Sequence, residues 1–137
     1  MSFDLVVDAA AWHAHLDAFA AEVPGLVPVI KGNGYGFGRD LLVAESTRLG
    51  VDQVAVGVYP EAVEARASFA GDVLVMTPWR PYFTGTAVEQ ALRDPQVIHT
   101  VSRLEDIGAI ATAAAGPVRV VIEGETSLAR HGFDRHE

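Results

Sequence analysis

Val29-Ile30-Lys31-Gly32-Asn33-Gly34-Tyr35-Gly36-Phe37-Gly38 runs from an apolar segment through a single lysine into a loop of alternating glycines. The apolar segment reads as a strand, and the lysine sits where that strand ends. In parallel α/β architectures, ligands bind beyond the carboxyl ends of the strands, so Lys31 is expected to project into a site from a rigid element. An amine held against an apolar wall loses solvation and becomes nucleophilic enough to form an imine with an aldehyde. A helix starting near Arg39 could aim its N-terminus at an anion. Other readings of the pattern are weaker. A nucleotide P-loop places its lysine after the glycines and follows it with Ser or Thr, and here the lysine precedes them. A dinucleotide fingerprint needs a third glycine or alanine where Arg39 stands. A plain turn carrying an exposed lysine is the alternative that remains open.

Five short runs rich in valine and isoleucine stand out: Leu26 to Ile30, Gln53 to Val58, Val73 to Thr77, Val97 to Val101 and Val118 to Ile122. Each is apolar at successive positions rather than at alternate ones, which suits parallel strands covered on both faces. The covering helices are expected at Ala9 to Glu22, Arg39 to Leu49, Pro60 to Ala70, Thr84 to Arg93 and Arg103 to Ala115, with Pro60 in a first turn and Gly50 and Gly71 after helix ends. Such a βα series with right-handed crossovers leaves two architectures. One is a complete five-stranded, flavodoxin-like doubly wound domain; the other is a partial (β/α)8 TIM-type barrel. The motifs favour the barrel. No linker or low-complexity tract divides the chain.

The 137 residues carry a formal net charge of -8 with no basic patch, which argues against a nucleic-acid partner and for a small-molecule ligand. No apolar run reaches the roughly 20 residues a membrane span needs, and residues 1–8 lack the features of a signal peptide, so a cytoplasmic location is the default expectation. Without cysteine, disulfides, thiol nucleophiles and Cys-type zinc sites are excluded. Lysine occurs once, at position 31, so any lysine chemistry of this chain uses Lys31.

The segment Lys31 to Gly38 closely resembles the alanine racemase signature Lys-Ala-Asn-Ala-Tyr-Gly-His-Gly. A second stretch, Glu125-Thr126-Ser127-Leu128-Ala129-Arg130-His131-Gly132, resembles that family's Asp-Thr-Gly-Met-Gly-Arg-Leu-Gly loop. The resemblance spans essentially the whole chain and implies a pyridoxal-phosphate-dependent amino-acid racemase. It implies a Schiff base at Lys31, which would also serve as one of two bases. It places Tyr35 near the cofactor phosphate, and Arg130 against the cofactor's phenolic oxygen and the substrate. Alanine is the leading substrate, and a homodimer is implied for the full-length form. The second base, a tyrosine from a partner subunit's C-terminal β-domain, has no counterpart here.

Residues 1–137 are therefore expected to be the N-terminal part of such a barrel, with about five of eight strands, the remaining strands and the β-domain being absent. Cut there, the chain would expose sheet edges and neither stay monomeric nor racemise alanine. The alternatives are a non-catalytic pyridoxal-phosphate-binding protein or the flavodoxin-like phosphate- or nucleotide-binding module. Glu123 stands where many family members have a lysine, often carboxylated, and is expected to orient Arg130 directly. Phe37 and Leu128 also depart from the signatures and leave the substrate open. His13 and His15, two apart on a helix, cannot share a metal ion. A paired-carboxylate hydrolase at Glu123 and Glu125 is a weaker reading than the arginine loop. Trp12 is expected in the core, and Trp79, Tyr82 and Phe83 are expected to pack on a neighbouring helix.

Overall fold

The structure, a computed structural model, describes residues 6–114 and 116–134. Ala115, where the last helix was expected to end, lies outside the described residues, as do positions 1–5 and 135–137.

Helix α1 (Ala9–Glu22) starts at Asp8, whose carboxylate accepts from the Ala10 and Ala11 N–H groups at 3.0 Å each. That cap satisfies donors the first turn would otherwise leave unpaired. Helices α2 (Arg39–Arg48), α3 (Tyr59–Arg66), α4 (Thr86–Arg93) and α5 (Leu104–Ala113) alternate with strands β1 (Gln53–Val56), β2 (Asp72–Val75), β3 (Val97–Val101) and β4 (Arg119–Ile122). Helix α3 stops short of the expected Ala70. The Arg66 guanidinium folds over its last turn, donating to the Phe69 and Gly71 carbonyls, to Asp94 and to Gln96.

All four strands are parallel and lie in chain order, β1-β2-β3-β4. A doubly wound sheet reverses its strand order at a switch point, and none occurs among the described residues; monotonic order is that of a barrel wall. The expected first strand reduces to one parallel bridge, Val29 with Ala55. Its two bonds run from the Ile30 N–H to the Ala55 carbonyl and from the Ala55 N–H to the Pro28 carbonyl, each 2.8 Å. Pro28 has no N–H to carry the ladder further back, so the segment lies on the β1 edge without becoming a regular strand.

Register sets the two faces. Val54, Val73 and Val97 form one cross-strand row, and Val56, Val75 and His99 another. Side chains in register share a face, and these rows turn toward the helices, where they meet Ala62 and Ala65 of α3 and Ala91 of α4 in the core. The second row continues into β4 as Val120, and the next helix-facing pair is Val101 with Ile122; both β4 residues are exposed.

Two aromatic expectations resolve differently. Trp79 is core, and Phe83 packs edge-on against Tyr59 of α3, whereas Tyr82 is exposed. Trp12 is only half-buried. Helix α1 buries no residue completely, and an apolar cleft of about 230 Å³ separates it from Ile30 and α2, so Trp12 rests edge-on against Phe37 at 4.8 Å between ring centroids.

His99 is the polar member of the helix-facing rows and is fully buried. Its ring donates to the Ala91 carbonyl, and Nδ1 accepts from the Tyr59 hydroxyl at 3.2 Å. Burial pushes the imidazole down from 6.5 to about 4, because the charged form has no water around it. An unfolded chain takes up this proton between those two values while the folded chain does not. The stability from burying neutral His99 is thus fully present above pH 6.5, falls as pH drops, and stops falling below about 4. Urea unfolding at pH 7 and pH 4 should show a stability loss on the order of 3 kcal/mol smaller in His99→Gln than in the unsubstituted chain.

Candidate active site

Lys31 emerges exposed at the end of the bridged segment, and the peptide that follows it is held on both sides. The Gly32 N–H donates to Glu61 Oε1 at 2.7 Å, while the Gly32 carbonyl accepts from Arg39 Nε at 3.1 Å and Nη2 at 2.5 Å. Glu61 lies in the first turn of α3, and its Oε2 also accepts from the Gly57 N–H at 2.7 Å and the Val58 N–H at 3.3 Å. One carboxylate thereby ties the loop after Lys31 to the loop after β1. Arg39, the first residue of α2, neutralises it from 3.8 Å and also pairs with Glu64. Neither Glu61 nor Arg39 was singled out for this role from sequence, although an acidic residue directly after a proline at a helix start is a capping signal.

Gly57 lies close to both side chains of this arrangement. A Cβ there would lie 3.1 Å from Glu61 Oε2 and 3.5 Å from Lys31 Cβ. Beyond Gly32 the chain makes a short 3₁₀ turn, Gly34–Gly36, in which Asn33 Oδ1 accepts from the Gly36 N–H at 3.0 Å. Tyr35 takes a left-handed φ of 56° with its ring exposed.

The arginine loop reaches the same place from the far edge of the sheet. After β4 the chain pairs with itself: the Phe133 N–H donates to the Glu123 carbonyl at 2.8 Å and the Glu125 N–H to the Phe133 carbonyl at 2.9 Å. This closes residues 125–132 into an excursion whose tip carries Arg130 and His131 back across the strand ends. A cavity of about 230 Å³ results, lined by Lys31, Gly57, Met76, Thr77, Pro78, Arg130 and His131. The two sequence motifs thus share one cavity. Tyr35 is not among its lining residues, and no ion pair or hydrogen bond joins Glu123 to Arg130. Glu123 instead turns one carboxylate oxygen, Oε2, into a buried position without a hydrogen-bond partner. His131 is a lining residue that the sequence did not mark.

The charge of the cavity is one-sided. Its lining holds two fixed cations and no carboxylate, and neither Lys31 nor Arg130 has an ion-pair partner among the described residues. Such a lining suits an anionic ligand, and the amine at its rim suits an aldehyde. Pyridoxal phosphate meets both demands. Nearby strand ends are braced independently: Asp106, fully buried, accepts from Arg103 and from Arg80, which also donates to Ser102. The Arg103 guanidinium beside Asp106 holds its carboxyl below the ordinary carboxylate range, outweighing burial.

The family model for the alanine racemase N-terminal domain matches residues 7–137. The chain belongs to that family. It is similar to the alanine racemase of Streptomyces coelicolor, at 29% identity over 92% of this chain and 34% of that protein. Its fold matches the crystal structure of alanine racemase from E. faecalis with a TM-score of 0.77, at 24% identity over 93% of this chain and 35% of that one. A histidine racemase from Leuconostoc mesenteroides matches with a TM-score of 0.74, at 19% identity over 92% of this chain and 34% of that one. The chain spans about a third of the length of the relatives it matches. Its α/β structure of parallel strands alternating with helices is accordingly part of an alanine racemase barrel.

In this alanine-racemase-type domain the signature's second alanine is replaced by Gly34, which is buried with a φ of 64°. A Cβ there would approach the Arg39 backbone nitrogen at 3.0 Å and Leu42 Cδ1 at 3.1 Å. Gly34→Ala should therefore destabilise the domain by about 1–3 kcal/mol, read from the urea midpoint, with no compensating gain elsewhere.

Proposed function

We propose that this domain binds pyridoxal 5'-phosphate through Lys31 and contributes one face of an amino-acid racemase active site. The observation that carries the reading is the shared cavity, in which the chain's sole lysine and Arg130 stand together without a carboxylate. The Lys31 amine would hold the cofactor's aldehyde carbon and, once released by the substrate amino group, take or return the proton at the substrate's Cα. Arg130 would hold the cofactor's phenolic oxygen and the substrate carboxylate by charge-assisted hydrogen bonds. Tyr35, exposed on the glycine turn, is assigned to the phosphate end. When bound, the cofactor supplies an electron sink that acidifies the Cα–H bond.

Alanine is the substrate we favour. The support is the alanine racemase relatives; one protein of similar fold is a histidine racemase. Racemisation needs a base on each face of Cα, so the complete reaction is assigned to a homodimer in which a partner subunit's tyrosine supplies the second one. The isolated chain is assigned cofactor binding without turnover, in the cytoplasm.

Incubation with pyridoxal phosphate followed by borohydride should leave a reduced adduct on Lys31, mapped by mass spectrometry, and none in Lys31→Ala. Arg130→Ala should retain the adduct but need about 10-fold more cofactor to form it. A folded chain that gives no adduct at Lys31 overturns the assignment.

A further inference from the structure

We infer that Glu61, steadied by Arg39, is a positioning residue that sets the direction in which the Lys31 side chain leaves the sheet. The inference rests on Lys31 carrying the cofactor, and goes beyond it by naming what holds the lysine in place. The Lys31 carbonyl accepts from the Gly34 N–H at 3.2 Å, but the Lys31 side chain has no hydrogen bond or ion pair among the described residues, so the direction of that side chain is inherited from the backbone. That backbone is not part of a regular strand: Pro28 stops the ladder behind the single bridge, and ahead of it the Gly32 and Gly57 N–H groups go to Glu61 instead of to the facing chain. Its fixation falls to the next peptide, Gly32, where Glu61 takes the N–H and Arg39 takes the carbonyl.

The same carboxylate fixes the opposite wall. Glu61 Oε2 accepts from the Gly57 N–H, and Gly57 and Lys31 both line the cavity. A single group therefore sets the spacing between the amine's root and the wall it faces. Charge makes the clamp stiffer than neutral hydrogen bonds would, because each contact to the carboxylate or guanidinium is charge-assisted. Ordinary helix capping needs only the Val58 N–H, which is the longest of the three contacts at 3.3 Å. The two shorter ones, at 2.7 Å, go to the residues flanking the cavity.

Gly32 and Gly57 donate to different oxygens of Glu61, and in a glutamine one of those positions becomes an NH2 donor, so it can serve Gly32 or Gly57 in this geometry but not both. The test compares two reductive labels on Lys31 in the full chain, each with borohydride as hydride source. In both, the amine condenses with an aldehyde, water leaves with the carbonyl oxygen, and hydride adds to the carbon. Formaldehyde reports only that the amine is reachable; pyridoxal phosphate reports that it points at the cavity. In Glu61→Ala the pyridoxal phosphate rate should fall about 10-fold relative to the formaldehyde rate, with Glu61→Gln intermediate. Asp94→Asn, which breaks the remote Arg66 pair, should leave the ratio unchanged. Amide hydrogen exchange without cofactor should show Gly32 and Gly57 losing protection in Glu61→Ala. An unchanged label ratio in Glu61→Ala overturns the positioning role even where stability falls, as does unchanged protection of Gly32. No pyridoxal phosphate label in the unsubstituted chain overturns the cofactor reading itself, and the positioning role with it.

Discussion

Burial of one face of the sheet governs the rest of the structure. Val54, Val56, Val73, Val75 and Val101 are sealed from solvent completely, and Val97 and His99 nearly so. Each such valine removed from water contributes about 1.5–3 kcal/mol, and it can be removed only if a helix lies over it. That requirement fixes strand, helix, strand in alternation, and right-handed crossovers then make every strand point the same way. A shared direction is what brings the loops after Ile30, Val56, Val75 and Ile122 to one rim. The site is a consequence of that gathering, since its lining residues come from four separate loops.

At the rim the chemistry is sorted by charge. Carboxylates face away from the cavity and hold backbone or arginine: Glu61 on Gly32 and Gly57, Asp106 on Arg80 and Arg103. Cations without partners face into it. A pocket arranged this way suits an anionic ligand, while Glu61 and Asp106 direct their charge to the shell around it.

The sequence was informative where chemistry is local and weak where it depends on the fold. Lys31 was legible because it is the only lysine and ends an apolar run before glycines. Arg130 was legible because its loop resembles a family motif. The helices and four strands follow from apolar runs, a proline and glycines at their ends. Pro28 was also visible, but its cost became apparent only when Ala55 was identified as the pairing partner. Trp12 looked like core because large aromatics usually are, whereas α1 lies over a cleft and buries nothing completely. Glu61 and Arg39 are ordinary helix-start residues in sequence; their hold on Gly32 joins positions far apart in the chain. His131 reaches the cavity only because residues 125–132 close on themselves.

The strand order has a kinetic meaning as well. Every strand pairs with the one made just before it, so no contact in the sheet waits for a distant piece of chain. Loop closure across one βα unit costs less entropy at each step than pairing strands remote in the chain would. A polypeptide leaving the ribosome can add one βα unit at a time, each docking on the edge left by its predecessor. The amine-bearing loop and its Glu61 clamp would be assembled early in that sequence, and the arginine loop would close over a rim already in place.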